Sequence, residues 1–231
     1  MHKLVLTILV ALLAGFAGAA AWDYSGLGPD RTRDALMADP EMLPDAMAEL
    51  QRRDAVQRLA PIRAEVEEPF PGAVLGNPQG STTMVEFTDY ACGFCRSSLA
   101  DVQQLIADDP DLRIVIREYP VLSDASVEAA RMALAAAQQG RYEAFHTSMF
   151  AADGLTTASI EAAATRAGVD LDLARAAIAS GDLDAQLQNN HFLARNLGLS
   201  GTPAFVVGDE VLNGAVGADA LRAAIAEARD S

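Results

Sequence analysis

The sequence Cys92-Gly93-Phe94-Cys95 contains the only two cysteines of the 231-residue chain. It follows an apolar stretch and opens a helical pattern, so Cys92 falls at the start of the helix and Cys95 one turn later. Unpaired backbone N–H groups and the positive end of the helix dipole favour an anion there, so Cys92 is expected to ionise more readily than a free cysteine. Three chemistries fit such a pair. A thiolate at Cys92 attacks a disulfide, and Cys95 resolves the mixed disulfide that forms. Two thiolates also hold a soft ion such as Cu(I), although no added methionine or histidine motif accompanies them. A purely structural bridge is the third option, but a loop this short gives little chain-entropy stabilisation. Redox exchange is the leading reading, with the copper-binding module as its alternative.

Glu86 stands in an otherwise apolar strand pattern, six residues before Cys92. A buried carboxylate must be paired, hydrogen-bonded or protonated, which would suit proton transfer. On an alternating strand the same residue could equally face outward. His146 and His191 are isolated on separate helical segments and read as packing or surface residues, since zinc ligands come in clusters. Gly198-Leu199-Ser200-Gly201 resembles a nucleophile elbow only in part, because Thr202 occupies the second glycine position.

The elements that must position these residues are legible as patterns. Thr82 to Phe87 and Leu112 to Glu118 read as strands flanking the Cys92 helix, a strand–helix–strand unit that feeds a parallel sheet. Ser126 to about Leu197 is an all-helical block of four or five segments separated near Gly140, Gly154, Gly168 and Gly181. Ala204 to Val207 and Glu210 to Asn213, joined by Gly208-Asp209, read as a hairpin, and Gly217 to Arg229 as a closing helix. Upstream, Arg31 to Ala38 and Pro40 to Ala60 read as helices, with Pro44 setting where the second becomes regular. Leu43, Met47 and Leu50 recur on one face of that second helix. Glu65 to Gly72, charged and twice interrupted by proline, reads as a linker.

The net charge is −15, and Lys3 is the only lysine. Such an acidic chain argues against nucleic acid and against charge-driven binding to anionic lipid. Met1-His2-Lys3, the apolar run from Leu4 and the small residues up to Ala21 read as a cleavable secretory signal. An uncleaved anchor is the rival, because Leu4 to Ala21 is close to the shortest span that crosses a bilayer. An exported, oxidising setting lets a lone cysteine pair turn over as a disulfide.

Met84-Val85-Glu86-Phe87-Thr88-Asp89-Tyr90-Ala91 ahead of the cysteine pair, and Gly201-Thr202-Pro203-Ala204-Phe205 after the helical block, resemble the DsbA-like thiol:disulfide oxidoreductases of the thioredoxin-fold superfamily. Pro40-Glu41-Met42-Leu43 with Leu50-Gln51-Arg52-Arg53, followed by Gly76-Asn77-Pro78, resembles the exported branch with an N-terminal extension, the ScsC-type disulfide isomerases. The resemblance runs from about Pro40 to the C-terminus. It implies an α/β thioredoxin fold with a helical insertion at about 124–199 in a domain spanning 72–231, preceded by a signal at 1–21 and an extension and linker at 22–71. It also implies that Cys92 is the exposed nucleophile and Cys95 the buried resolving thiol. Pro203 would carry a cis peptide bond, Thr202 would lie against Cys92 and pair with an extended substrate, and Gly93 and Phe94 would flank the substrate and tune the potential. Glu86 would relay a proton to or from Cys95 through water.

The family's histidine in this dipeptide is absent, and Phe94 leaves Arg96 as the nearest alternative cation, unless Arg96 simply faces solvent. No cofactor is implied. The implied partners are unfolded or misoxidised proteins and a redox partner that resets the pair, in the periplasm or another exported compartment. The resemblance further implies a homo-oligomer formed through the extension, against the alternative of a single helix docked on its own domain.

Overall fold

The computed structural model describes residues 2–24 and 29–230. It divides into two compact units, Met1–Gln51 and Arg52–Ser231. The first unit holds α1 (His2–Tyr24), α2 (Pro29–Ala38) and the early turns of α3 (Met42–Leu59). α3 starts ahead of Pro44, which sits in its first turn, where a missing N–H leaves no helical bond unmade.

The second unit is built on a five-stranded sheet of order β1-β3-β2-β4-β5. Its strands are β1 (Val74–Gly76), β2 (Thr82–Thr88), β3 (Leu112–Glu118), β4 (Ala204–Val207) and β5 (Glu210–Asn213). β2 and β3 run parallel, joined through α5 (Gly93–Asp108), and the remaining pairs are antiparallel. The helical block comprises α6 (Asp124–Gln138), α7 (Tyr142–Phe150), α8 (Thr157–Arg166), α9 (Leu171–Ser180) and α10 (Asp182–Leu197), and α11 (Ala218–Asp230) closes the chain.

Both faces of the sheet are covered. Met84, Ile114, Ile116, Phe205 and Val207 point into a core shared with α5 to α9 and α11. Val85, Phe87, Val115, Ala204 and Val206 point into a second core with α10 and the chain around Leu59 and Val66. β2 and β3 are consequently buried along nearly their whole lengths and show no alternation of exposed residues.

The stretch expected to be a linker is part of this second unit. Residues Arg63–Glu67 form a short helix, α4, and both Leu59 and Val66 are fully buried. The buried guanidinium of Arg117 organises it. Arg117 donates to the carbonyls of Glu65, Val66 and Glu68, and through Nη1 to Asn190 Oδ1 on α10 at 3.1 Å. A cation at the carbonyl end of α4 meets the negative end of its backbone dipoles. Burial lowers the Arg117 pKa to about 10. Gly72, at the end of the expected linker, has φ +88 and lies so close to α6 that a Cβ would stand 2.3 Å from the Ala137 carbonyl oxygen. The compact unit therefore begins at Arg52, ahead of the boundary expected at residue 72. Charge and proline in the sequence suggested solvation, but the apolar contacts and the Arg117 hydrogen bonds hold the segment down.

Candidate active site

β2 ends at Thr88, and three residues later the chain turns into α5 with Cys92 as its N-cap, in extended conformation at φ −80 and ψ 117. The turn is held by Asp89. Its backbone carbonyl accepts from Cys92 N at 3.0 Å and its Oδ1 from Ala91 N at 2.8 Å. Its Oδ2 accepts from the N–H groups of Val121 and Leu122, at 2.8 and 3.0 Å, on the loop that follows β3. One buried carboxylate thus ties together the two loops at the ends of the parallel strands.

Across the site, the Thr202–Pro203 peptide bond is cis. The Cys92 thiol donates to the Thr202 carbonyl oxygen at 3.2 Å. Cys92 and Cys95 are both free thiols, 7% and 1% exposed. Cys92 is therefore less open than an exposed nucleophile would be, because the loop before Pro203 lies over its sulfur. Gly93 and Phe94 are exposed beside it, and Val121 and Leu122 add apolar surface on the loop pinned by Asp89. Arg96 does not take the place of the missing histidine: it is exposed and donates to the Ala152 carbonyl at 2.9 Å. Among the described residues, no third His, Cys, Asp or Glu completes a metal-binding group with the cysteines.

Cys95 lies on the buried face of α5, toward the ends of the strands. Burial pushes its thiol up to about 12, against the weaker pull of the Asp89 backbone and the Thr202 and Thr88 hydroxyls. Glu86 is buried, not outward-facing, because helices cover both faces of β2. Burial raises its carboxyl to about 8, and Thr88, two residues on along the same face, moderates the rise.

A second buried acid was not identified from sequence. Glu118, at the end of β3, is fully buried, and burial raises its pKa to about 8. Its Oε1 accepts from Tyr142 at 2.7 Å and from Tyr90 at 3.0 Å. Tyr90 also meets His146 Nδ1 at 3.0 Å. Burial depresses the His146 pKa to about 3, so this ring is neutral. The available signal was parity: Leu112, Ile114 and Ile116 share a face of β3, and Glu118 continues it. His191 is half-buried and packs edge-on against Tyr119, apart from this cluster, with ring centroids 4.9 Å apart. Ser200 and Gly201 lead into the loop over Cys92, in the cis-proline segment.

Residues 70–227 match the family model described as Thioredoxin. A thioredoxin-like oxidoreductase from Silicibacter pomeroyi DSS-3 is similar at 41% identity, covering 68% of this chain and 92% of that one, with a TM-score of 0.66. The thiol-disulfide exchange protein α-DsbA2 of Wolbachia pipientis is similar at 29% identity, over 76% of this chain and 97% of its own, with a TM-score of 0.69. The catalytic domain of Proteus mirabilis ScsC is similar at 27% identity, over 76% and 99%, with a TM-score of 0.67. The curated relatives matched are Na(+)/H(+) antiporters NhaA of Salinispora tropica and Salinispora arenicola, at 31% identity over 159 residues, and the chain spans only 24% of their length. With the family model covering most of the sheet-bearing unit, the chain belongs to the thioredoxin family, in the DsbA-like and ScsC-like form of its fold.

Proposed function

We propose that the protein is an exported thiol–disulfide oxidoreductase that exchanges, isomerises or introduces disulfides in unfolded or misoxidised proteins. The observation that carries this reading is the Cys92 sulfur at the N-cap of α5, 3.2 Å from the carbonyl before cis Pro203, with Cys95 buried one turn behind. In the first step the Cys92 thiolate attacks one sulfur of a substrate disulfide. The substrate S–S bond breaks, a Cys92–substrate bond forms, and the other substrate sulfur leaves as a thiolate. In the second step Cys95 loses its proton to Glu86 and attacks Cys92. The intramolecular disulfide forms, the second substrate sulfur leaves, and the substrate has gained the two electrons that the pair has lost. Run backward, the same steps insert a disulfide, and the partner that resets the pair selects the direction. Exposed Phe94, Val121 and Leu122 favour apolar, extended polypeptide as substrate, with Thr202 lending backbone groups to a short strand-like pairing.

Glu86 has a thermodynamic signature. Its folded pKa of about 8 lies above the ordinary 4.5, so the folded state holds the proton more tightly. Its contribution to stability is full below about pH 4.5 and is lost as pH rises through about 8.

α2 and the adjoining turns of α3 expose Leu36, Met37, Met42, Leu43, Met47 and Leu50. In our reading this apolar surface joins copies of the chain, so that several cysteine pairs act on one substrate, as isomerisation requires.

Three outcomes are expected. The protein should reactivate scrambled ribonuclease, oxidise reduced ribonuclease, or both, and Cys92→Ser should return the rate to background; a folded protein inactive in both assays contradicts the reading. Glu86→Gln should slow the second step and raise stability at pH 8 by up to about 4 kcal/mol, with the gain fading toward pH 4.5. Denaturant melts at the two pH values read this directly, and an equal effect at both would remove the buried-acid account. In sedimentation the whole chain should run heavier than a monomer and a chain beginning at Arg52 should run as a monomer; two monomers would exclude assembly through the extension.

A further inference from the structure

The exchange mechanism above uses one buried acid, yet the same face of the sheet carries two. β2 and β3 pair in parallel with Thr88 opposite Glu118 and Glu86 opposite Ile116. Glu86, Thr88 and Glu118 therefore lie side by side on the face toward α5. Among the described residues, Glu118 Oε2 and Ser98 Oγ are buried without a hydrogen-bond partner, and the buried hydroxyls of Thr88 and Thr202 turn to the Cys95 thiol, Thr88 also to the Glu86 carboxyl. They belong to the ends of β2 and β3, to α5 one turn beyond Cys95, and to the cis-proline loop, the elements that surround the resolving thiol. A core built for stability alone leaves few such atoms, and their concentration at this end of the sheet sets it apart from the rest of the core.

The groups that act on Glu118 are defined. Tyr90 and Tyr142 donate to its Oε1. Tyr90 has one proton to give, so its oxygen accepts from His146 Nδ1–H at 3.0 Å. Glu86 and Asp89 face Glu118 from β2 and the turn after it, both as repelling charges. Cys92 and Cys95 lie on α5, and Asn190 of α10 donates to the Glu118 backbone carbonyl at 2.9 Å. Arg117, its chain neighbour, is turned to the other face and committed to α4 and Asn190. Among the described residues no cation acts on Glu118, and the only lysine of the chain is Lys3. Two carboxyls buried together without a cation resist being ionised at once.

We propose that Glu118 is a positioning residue for the second half of the exchange, sharing one negative charge with Glu86 so that the phenols of Tyr90 and Tyr142 govern when Glu86 is free to take the Cys95 proton. The inference rests on the exchange reading. Donation from both phenols draws the charge onto Glu118 and keeps Glu86 protonated. When the charge moves to Glu86, that carboxylate accepts the proton of Cys95. The Cys95 sulfur then forms its bond to Cys92, and the substrate sulfur departs with the electron pair of the bond that breaks. The raised pKa values of both acids accord with a shared charge.

Ellman's disulfide separates the two steps, because the reduced protein releases one thionitrobenzoate when Cys92 attacks and a second when Cys95 resolves. The second phase, followed by stopped flow from pH 5 to 10, should rise with the ionisation of Glu86. Glu118→Gln removes the repelling charge, so the midpoint of that rise should move about one unit toward acid while the first phase is unchanged. Tyr142→Phe should move it the same way by less, since a weaker hold on the charge at Glu118 also relieves Glu86, and it serves if the glutamine variant does not fold. Glu86→Gln should abolish the rise. A midpoint unmoved in a folded Glu118→Gln or Tyr142→Phe variant, with wild-type exchange intact, overturns the proposal and leaves the exchange reading standing. Absence of both phases in the wild type would instead overturn the exchange reading and this inference with it.

Discussion

The parallel pairing of β2 with β3, covered on both faces, is the constraint on which the rest of the unit depends. It runs in register from Thr82 opposite Leu112 to Thr88 opposite Glu118, so both strands stop at the same level of the sheet. The turn into α5 and the loop after β3 therefore emerge side by side, where Asp89 bonds to both. β4 pairs on the other side of β2, with Ala204 opposite Phe87, and so brings the preceding Thr202–Pro203 bond against Cys92. The cysteine pair is thus placed by strand ends from three parts of the chain, and long-range register does what local sequence cannot.

Covering both faces also creates an electrostatic problem at those strand ends. Glu86, Glu118 and the Cys95 thiol all occupy low-dielectric surroundings, and each favours its protonated form as a result. Unpaired charges there would be costly, and apolar residues would fit the same strands with less penalty. The arrangement is intelligible as an investment in reactivity: a thiol that must lose its proton shares the Thr88 hydroxyl as a neighbour with Glu86, an acid whose pKa is raised to about 8. Arg117, the buried cation nearest in sequence, is spent on the opposite face, where it clamps α4 and leaves the two acids uncompensated.

Much of this was legible because local patterns and tertiary demands agreed. The hairpin of β4 and β5 and the limits of β3 follow from branched residues between glycine and polar turns, and the five helices of the insertion break near Gly140, Gly154, Gly168 and Gly181, as read from the sequence. Where they disagreed, the sequence misled. β1 is three residues long, too short for any periodicity, and exists because β3 offers it an edge. Glu65 to Gly72 looked solvated, but Arg117 satisfies its carbonyls from a distance of some fifty positions. The orientation of Glu86 stayed open because alternation decides a strand's faces only when one of them meets water. Glu118 was overlooked for a related reason. Its partners Tyr90 and Tyr142 lie on the turn after β2 and on α7, with His146 of α7 behind Tyr90, and only the fold brings the two phenols to one oxygen.

The central claim is an asymmetry between two thiols one helical turn apart: Cys92 reacts with disulfides, and Cys95 is held in reserve by burial. Alkylation of the fully reduced, folded protein with iodoacetamide at pH 7, quenched over time and mapped by peptide mass spectrometry, tests it most directly. The account predicts modification at Cys92 alone, with Cys95 reacting only after unfolding or as pH approaches its raised pKa of about 12. Modification of Cys95 as fast as Cys92 under native conditions, or no modification of either, would contradict it.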